Sequence, residues 1–319
     1  MTAVSRRSLG KRFVSASIRI ALCSVLTYAP STLAGTIVRI STGIGDYSIE
    51  LLDDSAPGTV QNFLNYVNRN DYNGTYIHRA VDNFVVQGGG FRFRLFEGPI
   101  DVPSDPPIQN EFGASNTRGT VAMAKIAGDP DSATNQWFVN LADNSGTLDV
   151  DNGGFTVFGT VLGDGMVTVD EIDALPIVDL RGFKASAAPY ITQDYTDPRD
   201  FLYMNAEVTQ RFSSAPHVFE SVTGLLITSV SVDSGVDLIS MNFNAVAFSP
   251  TLVIRANVES VIPRRDSFEG IAEYSTVDGR LRIPALEVNL NGSINVVANV
   301  VFVLTDAATA SFTLESFDQ

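Results

Sequence analysis

The chain contains a single cysteine, Cys23, and only two histidines among its 319 residues. One thiol excludes a disulfide framework and any metal site built from several thiolates. The two histidines, His78 and His217, lie far apart in the sequence, so they give little support to a metal site or a serine-histidine-aspartate triad. We therefore expect no metal site.

Basic residues are also scarce, since 21 Lys and Arg face 36 Asp and Glu and give a net charge of −15. This acidity argues against a general nucleic-acid binder, which needs a basic face, and against attraction to an anionic membrane surface. Hydrophobic residues make up 45% of the chain, and its length favours two domains and is ample for at least one large core. The composition predicts a folded, acidic protein.

Acidic residues are absent from residues 1–34, which contain five basic residues, an apolar run at 20–29 and small residues ending at Ala34. A basic start, a short apolar run and a small residue at the cleavage point are typical of a secretory signal peptide. The apolar run is too short to span a hydrocarbon core of ~30 Å, so no stable membrane span is expected. Arg6–Arg7 leaves twin-arginine export open beside ordinary secretion, and Cys23 leaves a lipid anchor open. Cleavage would leave 16 basic residues against 36 acidic ones.

From Gly35 onward the sequence predicts short strands, because apolar residues alternate with polar ones, as over 47–51. An apolar stripe with helical spacing predicts a helix over 57–68, and a second helix is expected near 166–174. Residues 176–200 are rich in turn-forming and polar residues and predict a long surface loop.

A short polar joint separates this part from a second series of strands. Between 221 and 319 about seven strand-like segments are separated by turns such as Asp278–Gly279, without a convincing helix. This pattern predicts a β-sandwich-like domain. The predicted organisation is a signal peptide, a first domain, a linker and a second domain, at 1–34, 35–211, 212–220 and 221–319.

Five linked sequence blocks lie in the first domain. They are YIHRAVDNFVVQGGGF (76–91), PPIQNEF (106–112), NTRGTVAMAK (116–125), SATNQWFVNLADN (132–144) and FTVFGTV (155–161). In this order and spacing the chain resembles the cyclophilins, a family of peptidyl-prolyl cis-trans isomerases, and in particular their bacterial periplasmic branch. The resemblance runs from about 35 to 210.

The resemblance implies a mainly β fold, in which an eight-stranded antiparallel barrel with two capping helices is followed by the β-sandwich-like C-terminal domain. It also implies catalysis without a cofactor on proline-containing unfolded or flexible polypeptides. Arg79 matches the family's catalytic arginine, and Gln87 matches the glutamine that hydrogen-bonds the substrate and orients that arginine. The other matching residues are expected to bind substrate, as the wall of the proline pocket and the groove beside it: Phe84, Val85, Met123, Ala124, Lys125, Gln136, Phe138, Leu148 and Phe155.

Three positions depart from the family pattern. Val85 stands where many relatives have Met, and Phe155 stands where eukaryotic members often have His. Thr147 occupies the place of a Trp that helps many members to bind cyclosporin, so strong binding of that drug is not expected. In isolation Arg79 would be interpreted as a surface residue and Phe84 as a core residue, and the spacing of the linked blocks is what favours the functional interpretation.

The turn at 149–154, DVDNGG, begins like a calcium loop but lacks the later ligands of one, so it predicts a solvated acidic turn. Together with the predicted signal peptide, the resemblance implies an exported isomerase that assists protein folding, in the periplasm or, alternatively, outside the cell or on its surface. The unmatched second β-domain motivates another hypothesis, a low-activity proline-peptide binding module coupled to an adhesion or docking domain.

Overall fold

The computed structural model describes residues 35–94, 97–178, 188–189, 200–290 and 293–318. The predicted signal peptide lies outside the described residues, as does most of the predicted surface loop at 176–200. Within the described ranges, no helix combines the length and the apolar character needed to cross a membrane.

The first domain contains thirteen short strands and three helices within the described residues. In chain order they are β1 (Ile37–Thr42), β2 (Gly45–Leu51), α1 (Pro57–Asn68), β3 (Thr75–Tyr76), β4 (Arg79–Val81), β5 (Val85–Gly88), β6 (Phe91–Arg94), β7 (Gly98–Asp101), β8 (Thr120–Met123), β9 (Trp137–Asn140), α2 (Ser145–Leu148), β10 (Val157–Val161), α3 (Gly165–Asp173), β11 (Ile177–Val178), β12 (Ala188–Pro189) and β13 (Tyr203–Thr209). A 3-10 turn at Asp151–Gly153 follows α2.

The eight-stranded antiparallel barrel is confirmed once broken strands are joined. β3 and β4 are successive pieces of one extended stretch, and so are β5 and β6. The first stretch pairs with β13 at one end and with the second stretch at the other, and the ring continues through β9, β8, β10, β2 and β1. At the break between β5 and β6, Gly89 has a φ of +86°, and an added Cβ would lie 2.4 Å from the Asn135 carbonyl oxygen. Only glycine fits this close approach.

Both predicted helices are present and pack against the barrel. α1 buries Val60, Phe63 and Val67, the apolar stripe expected from its spacing, and α3 buries Val169 and Ile172. These side chains join one continuous core inside the barrel. The helices therefore close the hydrophobic interior, as expected for the capped barrel.

The second domain consists of strands only within its described residues, and the mainly β fold class is confirmed. Its strands are β14 (Val218–Glu220), β15 (Leu225–Val232), β16 (Asp237–Ala247), β17 (Val253–Pro263), β18 (Ala272–Ser275), β19 (Arg280–Leu290), β20 (Ser293–Asp306) and β21 (Ser311–Asp318). Residues 212–217 of the predicted linker connect β13 to β14, and the rest of that segment forms β14.

The structure refines the expected sandwich to a second barrel. Antiparallel pairs connect β15, β16, β17, β21, β20, β19 and β18 in that order. A parallel pairing between β15 and β18 closes the ring, and β14 adds a second parallel pairing with β19. Such long-range parallel pairs have no local turn signal, so the sequence pattern alone does not distinguish the barrel from two stacked sheets.

The two barrels share a buried polar interface. Asp46 of the first barrel accepts hydrogen bonds from Arg39 at 2.6 Å and from Arg264 of the second barrel at 2.8 Å. Both arginine side chains are nearly inaccessible to solvent. Nearby, Glu207 on β13 accepts hydrogen bonds from Asn73 and from Asn242 of the second barrel. The second barrel is therefore packed on the first by specific hydrogen bonds and ion pairs.

Candidate active site

A cavity of about 590 Å³ opens on the outer face of the first barrel, beside β4, β5 and β9. It combines one arginine and one glutamine with a mainly apolar wall. Its lining residues are Arg79, Phe84, Val85, Gln87, Ala124, Lys125, Ala127, Gly128, Phe138, Thr147, Leu148, Asp151, Asn152 and Phe155.

Arg79 and Gln87 are brought together by strand pairing. They are direct partners in the antiparallel register of β4 and β5, so their side chains project on the same side. The Arg79 guanidinium donates a 3.3 Å hydrogen bond to Gln87 Oε1 and lies 5.8 Å from the centre of the Phe84 ring. Burial lowers the pKa of Arg79, but a guanidinium remains charged at neutral pH. The cavity therefore contains a positioned cation beside an aromatic face.

A chain of amide contacts continues behind this pair. Gln87 Nε2 donates a 2.9 Å hydrogen bond to Gln136 Oε1, and His78 Nε2 lies 3.2 Å from the same oxygen. Burial lowers the pKa of His78 to about 4, so its ring is neutral at pH 7. Because Gln136 Oε1 can only accept, His78 carries its proton on Nε2 and donates it. A series of hydrogen bonds therefore runs from His78 through Gln136 and Gln87 to Arg79.

The apolar wall forms a hydrophobic cluster separate from the barrel core. Val85, Phe138 and Leu148 are buried in it, and Phe84 and Phe155 pack against them. The Phe138 and Phe155 rings meet edge to face at 6.0 Å. A wall of this composition excludes water from an apolar ring of a ligand.

Lys125 holds the opposite side of the cavity in place. Its ammonium group donates hydrogen bonds to the carbonyl oxygens of Asn152 at 2.9 Å and Gly154 at 2.6 Å. It also lies 4.9 Å from the centre of the Phe155 ring, and burial lowers the pKa of the amine. Next to it, the N–H group of Ala124 donates to the carbonyl oxygen of Gln136. At Ala124, a substrate main chain would therefore have to pair with the carbonyl group.

Nine of the eleven sequence-predicted residues line the cavity, and two do not. The structure corrects the expected position of Met123, which is fully buried in the barrel core. The reason is strand alternation: on β8 it is Ala122 that faces the pocket cluster, so the next residue faces inward. Gln136 lies behind the cavity and contacts it through Gln87.

Sequence reasoning missed the contribution of the turn at 149–154. Asp151 and Asn152, interpreted as part of a solvated acidic turn, form part of the cavity wall. A signal was available, since Phe155 follows this turn directly and was itself assigned to the pocket. Among the described residues, no group of three or more His, Cys, Asp or Glu side chains is placed to hold a metal ion.

Comparison with known proteins gives consistent matches for the first domain. Residues 37–190 match the family model of the cyclophilin-type peptidyl-prolyl cis-trans isomerases/CLD. The chain is 43% identical over 154 residues to a peptidyl-prolyl cis-trans isomerase of Acinetobacter baylyi, a match covering 47% of this chain and 79% of that protein. It is also 43% identical over 143 residues to peptidyl-prolyl cis-trans isomerase B of Escherichia coli, covering 43% of this chain and 83% of the relative.

A crystal structure of a cyclophilin-type isomerase from Cryptosporidium parvum superposes with a TM-score of 0.42 and 20% identity, covering 56% of this chain and 99% of that one. The second barrel lies outside the residues matched by the family model.

Proposed function

The chain belongs to the cyclophilin-type peptidyl-prolyl cis-trans isomerases, and we propose that it is an exported member that assists the folding of proline-containing polypeptides. The observation that carries the site assignment is the pairing of Arg79 with Gln87 above an apolar pocket. Export is inferred from the basic, acid-free start of the sequence and the short apolar run that follows it.

Rotation about an X–Pro bond requires no covalent step. The C–N bond must lose its partial double-bond character against a barrier of ~18–20 kcal/mol, and the prolyl nitrogen becomes pyramidal in the twisted state. A site lowers this barrier when it binds the twisted state more tightly than either planar isomer. Positioned donors in a water-poor pocket are suited to this, because they need no reorganisation during the reaction.

Each part of the cavity has a role in this scheme. The apolar wall of Phe84, Phe138 and Leu148 holds the proline ring. Arg79 donates toward the prolyl nitrogen, where electron density increases as the bond twists. Gln87 bonds Arg79 and keeps the guanidinium oriented, which is the pre-organisation that the twisted state requires. The neutral His78 at the far end of the amide chain adds no second charge.

The substitution Arg79→Ala tests this assignment in a peptide exchange assay, followed by NMR or by a coupled protease, on an X–Pro peptide. We expect the catalysed rate to decrease at least about tenfold, since loss of one positioned donor typically costs about 10²–10³ in kcat, with little change in melting temperature. Arg94→Ala removes a mostly exposed guanidinium and is the matched control. Wild-type catalysis by the Arg79 variant would refute the role of this residue. Peptide binding without any exchange catalysis by the wild type would instead favour a binding module.

Export requires a separate experiment. The full chain, expressed in a Gram-negative host, is expected in the periplasmic fraction with a new N-terminus near Gly35. Replacement of Arg6–Arg7 by a lysine pair distinguishes the two export routes, because twin-arginine recognition depends on the arginines. A cytoplasmic protein that retains residues 1–34 would overturn the proposal of export without affecting the assignment of the active site.

A further inference from the structure

A second cavity, of about 310 Å³, lies inside one end of the second barrel. Residues from seven strands converge on it. Phe243, Leu281 and Phe312 form its buried floor, each less than 10% exposed. Met241, Tyr274 and Leu304 line its wall and are only partly buried.

This end of the barrel is not filled by its own side chains. Protein interiors are normally packed as densely as organic crystals, and an unfilled apolar space destabilises the fold. Here apolar side chains that point inward stay accessible because nothing in the described part of the chain covers them. The volume lies at the lower end of the range of small-molecule pockets, and an apolar lining with few polar groups is typical of them.

The mouth of the cavity is fixed in shape. The turn between β15 and β16 is bonded to the turn between β18 and β19, because Asp233 accepts hydrogen bonds from the backbone and the hydroxyl of Thr276 at 2.7 and 2.6 Å. Two apolar side chains stand at the tips of these turns, Val236, 75% exposed, and Val277, 93% exposed. An apolar ligand would therefore contact hydrophobic groups before it enters.

The charges around the mouth are mainly negative. Asp233 directly follows β15, and Asp306 is the last residue of β20. In the ring, β18 and β19 lie between these two strands. Hydrogen bonds lower the pKa of each carboxyl group, so both are ionised at neutral pH. Neither makes a salt bridge within the described residues, although Arg255 also lowers the pKa of Asp306.

Arg255 makes no salt bridge within the described residues, but its charge acts on Asp306, and the two other arginines near this end are paired. Arg280 bonds Glu315, and Arg282 bonds Asp278. An anionic head group would thus meet like charge, whereas a neutral or cationic one would not.

We propose that the second barrel is a binding site for a small apolar molecule, an alkyl chain or aromatic ring system with a neutral or cationic polar end. The apolar part occupies the cavity, and the polar end stays at the mouth beside Asp233 and Asp306. This activity is independent of the isomerase site, since the cavity belongs to the other barrel.

The test is a fluorescence titration of the full chain with the neutral probe N-phenyl-1-naphthylamine. We expect saturable binding of one probe per chain. Dodecan-1-ol and dodecyltrimethylammonium, each below its micelle concentration, should displace it at least ten times more effectively than dodecanoate. A saturating X–Pro peptide should leave the probe bound. Absence of saturable binding, displacement by the peptide, or equal displacement by dodecanoate would overturn the proposal.

Three variants locate the probe. Ala256→Phe fills the cavity from the wall and Ala307→Phe fills it from the exposed turn at the mouth, and each should weaken binding at least tenfold. Val258→Phe adds the same ring on β17 at a position that is 69% exposed and outside the cavity, and it should bind like the wild type. Because Ala307 lies in an exposed turn, its variant remains informative if Ala256→Phe folds poorly. Unchanged binding in the filling variants would contradict the assignment.

Discussion

Asp46 on β2 joins the two barrels by accepting a hydrogen bond from Arg264, which lies 218 positions further along the chain, at 2.8 Å. Its other oxygen bonds Arg39 at 2.6 Å. Burial alone would raise the pKa of Asp46, but the two guanidinium groups hold it below its ordinary value. The carboxylate therefore stays ionised between two buried cations. A largely buried ion pair thus joins the second barrel to the isomerase barrel.

We predict that Asp46→Asn lowers the free energy of unfolding by about 3 kcal/mol or more, because it leaves a buried charge without its partner. Arg264 keeps its contact with Asp266, so the loss falls mainly on Arg39, for which the described residues offer no other salt bridge. Urea unfolding followed by circular dichroism measures the change. Asp170→Asn breaks a half-exposed pair with Arg118 and is the control, with an expected loss below about 1 kcal/mol. Equal losses in the two variants would contradict this account.

Glu207 makes the same interface sensitive to pH. Burial raises its pKa from 4.5 to about 7, although hydrogen bonds from Asn73 and Asn242 act in the opposite direction. Between these two pH values the folded state holds a proton that the unfolded state has released. The contribution of this group to stability is therefore complete below pH 4.5 and is lost as the pH rises toward 7.

Glu207→Gln should imitate the protonated carboxyl group, since its amide oxygen can still accept from both asparagines. We expect the variant to match the wild type near pH 4.5 and to be more stable at pH 8, by at most about 3 kcal/mol. Melting temperatures across this range measure the difference. Glu171→Gln changes an exposed carboxylate on α3 and should show no such trend. A variant of Glu207 that is less stable at pH 8 would show that the carboxylate is ionised and favourable there.

The elements and site residues that the sequence predicted correctly are those specified by local patterns. The stripe of Val60, Phe63 and Val67 predicted α1, and linked motifs placed Arg79 beside the pocket wall. The assignment of Met123 to the pocket was wrong because successive residues of a strand face opposite sides of the sheet. Ala122 faces the pocket and Met123 faces the core, so a shift of one position reverses which residue binds substrate. The ion pair of Asp46 with Arg264 has no local signal at all, since it depends on how two separately patterned barrels meet.

Gln136 is predicted to act as a positioning residue. Its amide oxygen accepts from Gln87 and from His78, so Gln136→Ala would free the Gln87 amide and loosen Arg79. We expect kcat/KM to decrease about tenfold, ~1.4 kcal/mol, through kcat rather than KM, because the proline pocket itself is unchanged. Gln136→Glu retains an accepting oxygen and should recover part of the activity. Gln61→Ala, on the exposed face of α1, is the control. A purely structural role would lower the melting temperature and leave kcat unchanged.

His78 provides a direct spectroscopic test of the amide chain. Burial depresses its pKa from 6.5 to about 4, and the nearby charge of Arg79 acts in the same direction. A depressed histidine pKa means that the unfolded state takes up protons first, so this group reduces stability as the pH falls from about 6.5 toward 4. Above that window the ring stays neutral, and we expect kcat/KM to be constant from pH 6.5 to 9. Because the chain has only two histidines, an NMR titration of the ring protons resolves His78 from His217. His78 should still be neutral at pH 5, and a midpoint near 6.5 would show that its ring is solvated and does not donate to Gln136.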